Sequence, residues 1–180
     1  MSNYKRYYNN HNSLVFITIV TKNRQNILID YIQIFKISLK KSIEKFKYKI
    51  IACVILNDHC HLLIQAEETD KIPLIVRDIK YNFVQSLPQE FLSTIKLTES
   101  ELKRNEKGIW QRRYYDHIIR NEEDFNRHLD YIHYNSMKHY QIPPKDWEYS
   151  SFEKFVHEGF YNNNWCNFND INKISEMNLE

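Results

Sequence analysis

Apolar and polar positions divide this chain into a short series of elements. Residues 14–21 (LVFITIVT) are β-branched and aromatic with hardly a break, which predicts a buried strand. Ile34, Ile37, Leu39, Ile43 and Phe46 then recur at helical spacing, with lysines between them and Asp30 as the expected cap. A second apolar run (49–56, KIIACVIL) and a third (59–66, HCHLLIQA) flank Asn57-Asp58, a hairpin signal. Residues 72–87 read as a second helix ended near Pro88, and the polar stretch 89–108 as a loop or short helical insertion. A fourth strand is expected over 113–120 (RYYDHIIR), then a helix over 122–138 capped by Asn121. The order β-α-β-β-α-β predicts an α+β, ferredoxin-like antiparallel sheet with helices on one face, followed by an additional C-terminal helix. One domain over 1–180 is expected. Its irregular tail, 141–180, offers Trp147, Tyr149, Phe152, Phe155 and Trp165 to pack back on the body.

Two of these elements carry candidate chemistry. On the third strand, alternation puts His59 and His61 on one face and Cys60 and Leu62 on the other. Two adjacent imidazoles are either ordinary polar residues or half of a divalent-metal site. On the last helix, Phe125, Leu129, Ile132 and Ser136 share a core-facing stripe. Asp124, His128, Tyr131, Asn135 and Lys138 fall on an adjacent polar stripe, with Tyr131 and Asn135 one turn apart. That pair is either surface polarity or a phenol nucleophile beside an amide ligand.

Charge and composition narrow the partner. Net charge is only +2, but residues 1–29 hold Lys5, Arg6, Lys22 and Arg24 and no carboxylate. Residues 36–49 hold six lysines against Glu44, whereas the segment from Gln141 onward has seven carboxylates against three lysines. Such asymmetry suits a polyanion bound away from the tail, or simply a solvated surface. With two glycines in the chain, a Gly-rich phosphate loop is excluded. Three scattered cysteines, no signal-like leader and no long apolar run lead us to expect a cytoplasmic protein with no membrane segment.

The stretch LNDHCHLLIQ resembles the histidine–hydrophobic–histidine (HUH) element of single-strand DNA nucleases and transposases. IWQRRYYDHIIRNEEDFNRHLDYIHYNSMKH is similar to the signature of REP-associated tyrosine transposases, the single-tyrosine branch of that superfamily. YKRYY, ITIVTKNRQNIL and DWEYSSF resemble further segments of the family, so the likeness runs from Tyr4 to about Phe152. By this resemblance His59, His61 and Asn135 are metal ligands for Mg²⁺ or Mn²⁺, and Tyr131 is the nucleophile. His117 matches a family position near the site. The implied substrate is single-stranded or hairpin DNA, cut through a 5′-phosphotyrosine intermediate by a monomer or homodimer. Lys5, Arg6, Lys22, Arg24, Lys40, Arg112 and Arg113 are the expected phosphate contacts. The family usually reads Asn-Pro-Val-Lys-His-Gly where this chain has Asn135-Ser136-Met137-Lys138-His139-Tyr140, which removes the usual helix stop.

Three other functions compete. A domesticated, non-catalytic hairpin-binding protein would keep the fold and charge but has no need of the intact His59, His61, Tyr131 and Asn135 set. A histidine-triad nucleotide hydrolase would need histidine at the third alternating position, which is Leu63. A structural metal protein would need a closed four-ligand set, and no CxxC is present.

Overall fold

A computed structural model describes residues 13–166. Strand β1 (Leu14–Val20) is followed by helix α1 (Ile32–Phe46) and the hairpin β2 (Lys49–Ile55) and β3 (His59–Gln65). Helix α2 (Ile72–Ser86), the short helices α3 (Gln89–Ser93) and α4 (Glu99–Lys103), strand β4 (Tyr115–Ile118) and the long helix α5 (Glu122–Tyr140) complete the body. The sheet order is β2-β3-β1-β4 with every neighbouring pair antiparallel, the ferredoxin-like arrangement.

Both faces of the sheet are covered, which is why β1 reads as an unbroken apolar run. Val15, Ile17 and Ile19 of β1, with Cys60, Leu62 and Ile64 of β3, meet α1 and α2 through Phe35, Leu39, Ile75, Ile79 and Phe83. Phe16, Ala52, Val54 and Leu63 point the other way and meet α5 through Leu129, Tyr131 and Ile132. Thus α1 and α2 share one face, as expected, and the additional helix closes the opposite one.

Several boundaries differ from the sequence expectation. Asp30 does not cap α1. The N-cap is Tyr31, which has no side-chain cap bond, and local carbonyls take the amides instead, Ile27 O that of Tyr31 and Ile29 O that of Ile32. The fourth strand is shorter than 113–120: Arg112 and Arg113 are exposed, and regular pairing with β1 begins at Tyr115. Residues 89–108 are the insertion with helices, α4 being closed by a capping box between Thr98 and Glu101. Helix α5 runs on to Tyr140 because nothing stops it earlier, and it ends with Gln141 in the left-handed region (φ 57°).

The tail can be followed to residue 166. Tyr149 and Ser151 hydrogen-bond Ile55 and Cys53, extending the sheet beyond the edge of β2. Trp147 Nε1 donates to Ile55 O (3.0 Å), and Tyr161 Oη donates to Asp130 of α5 (2.8 Å). A short helix α6 (Phe152–His157) packs Phe155 into the α5-side core.

Candidate active site

The hairpin of β2 and β3 and the middle of α5 bring the predicted site residues together. His59 and His61 lie on the face covered by α5, their ring centroids 5.1 Å apart, and the Tyr131 ring lies 5.1 Å from that of His61. Asn135 follows one helical turn later. The middle of the polar stripe is turned into the sheet: Tyr131 and Asn135 are 0% exposed and His128 is 3% exposed, while Asp124 and Lys138 at its ends stay partly exposed. Helical spacing gave the stripe, and the second covered sheet face decided its burial.

Each histidine is held by its Nδ1. The His59 nitrogen meets Asp58 Oδ1 at 2.6 Å, and Thr18 Oγ1 meets that of His61 at 2.8 Å. With Nδ1 engaged, Nε2 is the nitrogen each ring could present to an ion, the usual arrangement for metal-binding imidazoles. Arg24 donates to Asp58 Oδ2 (3.3 Å). Burial opposes ionisation of Asp58, but hydrogen bonds and charge from His59 and Arg24 outweigh it and hold the carboxyl below its ordinary range. Neither Asp58 nor Thr18 stood out in the sequence. The available signal was a polar residue in apolar β1, in register with His61.

Asn135 donates through Nδ2 to the Tyr131 carbonyl, which leaves Oδ1 buried with no hydrogen-bond partner. A carboxamide oxygen in that state carries a desolvation cost unless something coordinates it. Two imidazoles and an amide oxygen fit a divalent ion with mixed N/O ligation. At the phenol, Lys138 Nζ donates to Tyr131 Oη (3.2 Å) and lies 5.0 Å from the ring centre. His139 is exposed, its ring 4.8 Å from that of His59. Tyr140, where the family has glycine, accepts a hydrogen bond from Asn57 N through its hydroxyl (3.0 Å) and stacks on Trp147. The end of α5 is thereby tied to the turn that leads into His59.

The remaining candidates lie elsewhere. His117, on β4, hydrogen-bonds Asp124 (2.7 Å) and stacks on His128, with Phe16 between His128 and His61. Lys22 pairs with Glu101 (2.5 Å), Lys40 is exposed on α1, and Lys5 and Arg6 lie outside the described residues. Arg112 lines a cleft of about 570 Å³ with Arg77, Lys80, Tyr81, Lys107 and Trp110. Burial lowers the Lys80 ammonium to about 8. Arg112 was among the expected phosphate contacts, but the α2 side of this basic, aromatic-edged cleft was not legible in the sequence, because it meets the loop only in the fold. Among the described residues no helix is long and apolar enough to cross a membrane.

Residues 9–135 match the model of the family "Transposase IS200 like", so the chain is an IS200-like transposase. Within it the chain belongs to the REP-associated tyrosine transposases. It is 39% identical over 168 residues to a Haemophilus influenzae protein assigned to that group, covering 92% of this chain and 93% of the relative. The REP-associated tyrosine transposase of Escherichia coli K12 is 29% identical, with 92% of each chain covered. The fold is similar to the structure of a REP-associated tyrosine transposase bound to a REP hairpin (TM-score 0.77, 27% identity, 99% of this chain and 96% of that one).

Proposed function

We propose that this protein cuts and rejoins single-stranded or hairpin DNA with Tyr131 as nucleophile and with His59, His61 and Asn135 as the ligands of Mg²⁺ or Mn²⁺. The observation that carries the reading is the buried contact of His61 with Tyr131, beside Asn135, one helical turn on, whose oxygen is buried without a hydrogen bond, in a transposase fold. An ion held there would polarise a non-bridging phosphate oxygen and offset charge in the transition state. Tyr131 Oη attacks phosphorus, the P–O3′ bond breaks, and the phenolic proton ends on the 3′-oxygen. The products are a 5′-phosphotyrosine and a free 3′-hydroxyl, and attack by another 3′-hydroxyl reverses the step and joins strands. Lys138, already at the phenol oxygen, stabilises negative charge there as the proton leaves. Because Tyr131 is buried, a scissile strand reaches its hydroxyl only after a local rearrangement that includes Lys138, which lies on it.

Helix α5 packs on the sheet of its own chain, so one copy can supply all four proposed residues, whether the protein acts as a monomer or a homodimer. The hairpin carried by the structural relative suggests a hairpin substrate here, with Arg24 at the site and the cleft of Arg77, Lys80 and Arg112 as phosphate contacts. The test is cleavage of a hairpin with a single-stranded flank in Mn²⁺. Replacing His59 and His61 together with Ala should lower the rate about 100-fold or more, as should EDTA on the wild type, without loss of the fold. Undiminished cleavage in either condition would overturn the metal-dependent reading.

A further inference from the structure

A second cluster of metal-ligating side chains lies on the same sheet face, beyond Phe16. There His117 Nε2 is 2.7 Å from Asp124 Oδ2, and His128 Nδ1 is 3.1 Å from Asp124 Oδ1. The two imidazoles stack at 4.6 Å with an interplanar angle of 11°. One ligand atom from each residue lies within 4.8 Å of the other two. With bonds of about 2.0–2.2 Å to nitrogen and oxygen, a modest closure of the side chains would seat one ion among them.

Two further observations point to a ligand. His128 is 3% exposed and its Nε2 is buried without a hydrogen bond, while its Nδ1 also lies 2.7 Å from the Asp124 carbonyl. A helix cap calls for Asp124 alone, which takes the Arg120 amide (3.0 Å) one residue before the capping Asn121. It does not call for two imidazoles on the same carboxylate. The cluster also opens on a cleft of about 300 Å³ lined by Tyr115, Arg120 and Arg127, so an ion there keeps a coordination position for water or a phosphate oxygen. Two imidazoles and one carboxylate suit zinc and other late first-row ions better than Mg²⁺.

We propose that His117, Asp124 and His128 form a second divalent-metal site, of the zinc class, that staples β4 to the first turns of the tyrosine helix. It is separate from the site at His59 and His61, and it stands or falls independently of the nucleophile assignment. Co²⁺ serves as the spectroscopic probe and Zn²⁺ as the counted ion, in equilibrium dialysis of the full chain. Wild type and the His59→Ala/His61→Ala double variant should both show visible Co²⁺ bands and retain a tightly bound Zn²⁺ equivalent. Added to that double variant, His117→Gln keeps a donor for Asp124 and removes the imidazole, so it should lose the bands and weaken Zn²⁺ binding at least about 10-fold. Added Zn²⁺ should raise Tm in the double variant and not once His117→Gln is combined with it. Bands and affinity undiminished in that combination would overturn the proposal, as would a folded double variant that binds no Co²⁺ or Zn²⁺.

Discussion

The two faces of the sheet follow different rules. Under α1 and α2 the buried residues are almost all aliphatic or aromatic, and Phe35 meets Phe83 edge-on at 5.6 Å. Under α5 the same sheet buries His59, His61, His128, His133 and Asn135 among its aromatic rings. Apolar burial at roughly 25 cal/mol per Å² stabilises the first face with little offset. Each buried polar group on the second must be satisfied or carries a cost of about 1–3 kcal/mol. The difference separates a face that holds the fold from one that spends stability on positioned donors.

The largest expected effect on stability therefore belongs to the apolar face. Phe83→Ala, at 0% exposure, should lower unfolding free energy by about 3–5 kcal/mol. Chemical denaturation measures this; a loss comparable to that of a surface substitution would mean α1 and α2 do not carry the fold. On the other face the sign should turn. Asn135→Leu removes an unsatisfied oxygen, so stability should hold or rise by about 1 kcal/mol while cleavage is lost. A variant destabilised like Phe83→Ala would show that Asn135 holds the core together, and one that still cleaves would remove it from the site.

Acid should also act on the α5 face. His133 lies against Ser151 and Phe155, and burial lowers its imidazole to about 3. Unfolded, it titrates near 6.5, so the unfolded chain binds the extra proton between those values. The contribution is complete above about pH 6.5 and is lost as pH falls towards 3, by at most about 1.4 kcal/mol per unit. His133→Gln should flatten that part of the stability profile. An unchanged slope would place the acid sensitivity elsewhere. A smaller effect is expected at Lys138: Lys138→Met should slow cleavage about 10-fold without changing DNA affinity much, since its partner is the phenol. Equal loss of binding and cleavage would make it a phosphate contact instead.

The apolar face was the more legible in sequence, because alternation in β1 and β3 and helical spacing in α1 depend only on local period. The pairing of His59 with His61, and of Tyr131 with Asn135, could be read for the same reason. Their burial could not, since it depends on α5 folding back across the sheet. Thr18 and the Asp124 cluster were hidden for a related reason, each acquiring its meaning from a partner on another element, while Asp58, next to His59, read only as a turn residue. His117 illustrates the limit: expected near the site, it lies on the α5 face of the sheet but beyond Phe16, with Asp124 rather than with His59.

The central claim concerns one oxygen atom among those of thirteen tyrosines. A hairpin oligonucleotide with a single-stranded flank, labelled 3′ of the cut, is incubated with Mn²⁺ and run on a denaturing gel. The wild-type protein should carry the label as a covalent adduct. Tyr131→Phe, which removes only the hydroxyl, should fold, bind the DNA and form none. An adduct of equal yield in Tyr131→Phe would contradict the account by moving the nucleophile elsewhere, and no adduct in wild type on DNA it binds tightly would reduce the protein to a hairpin binder.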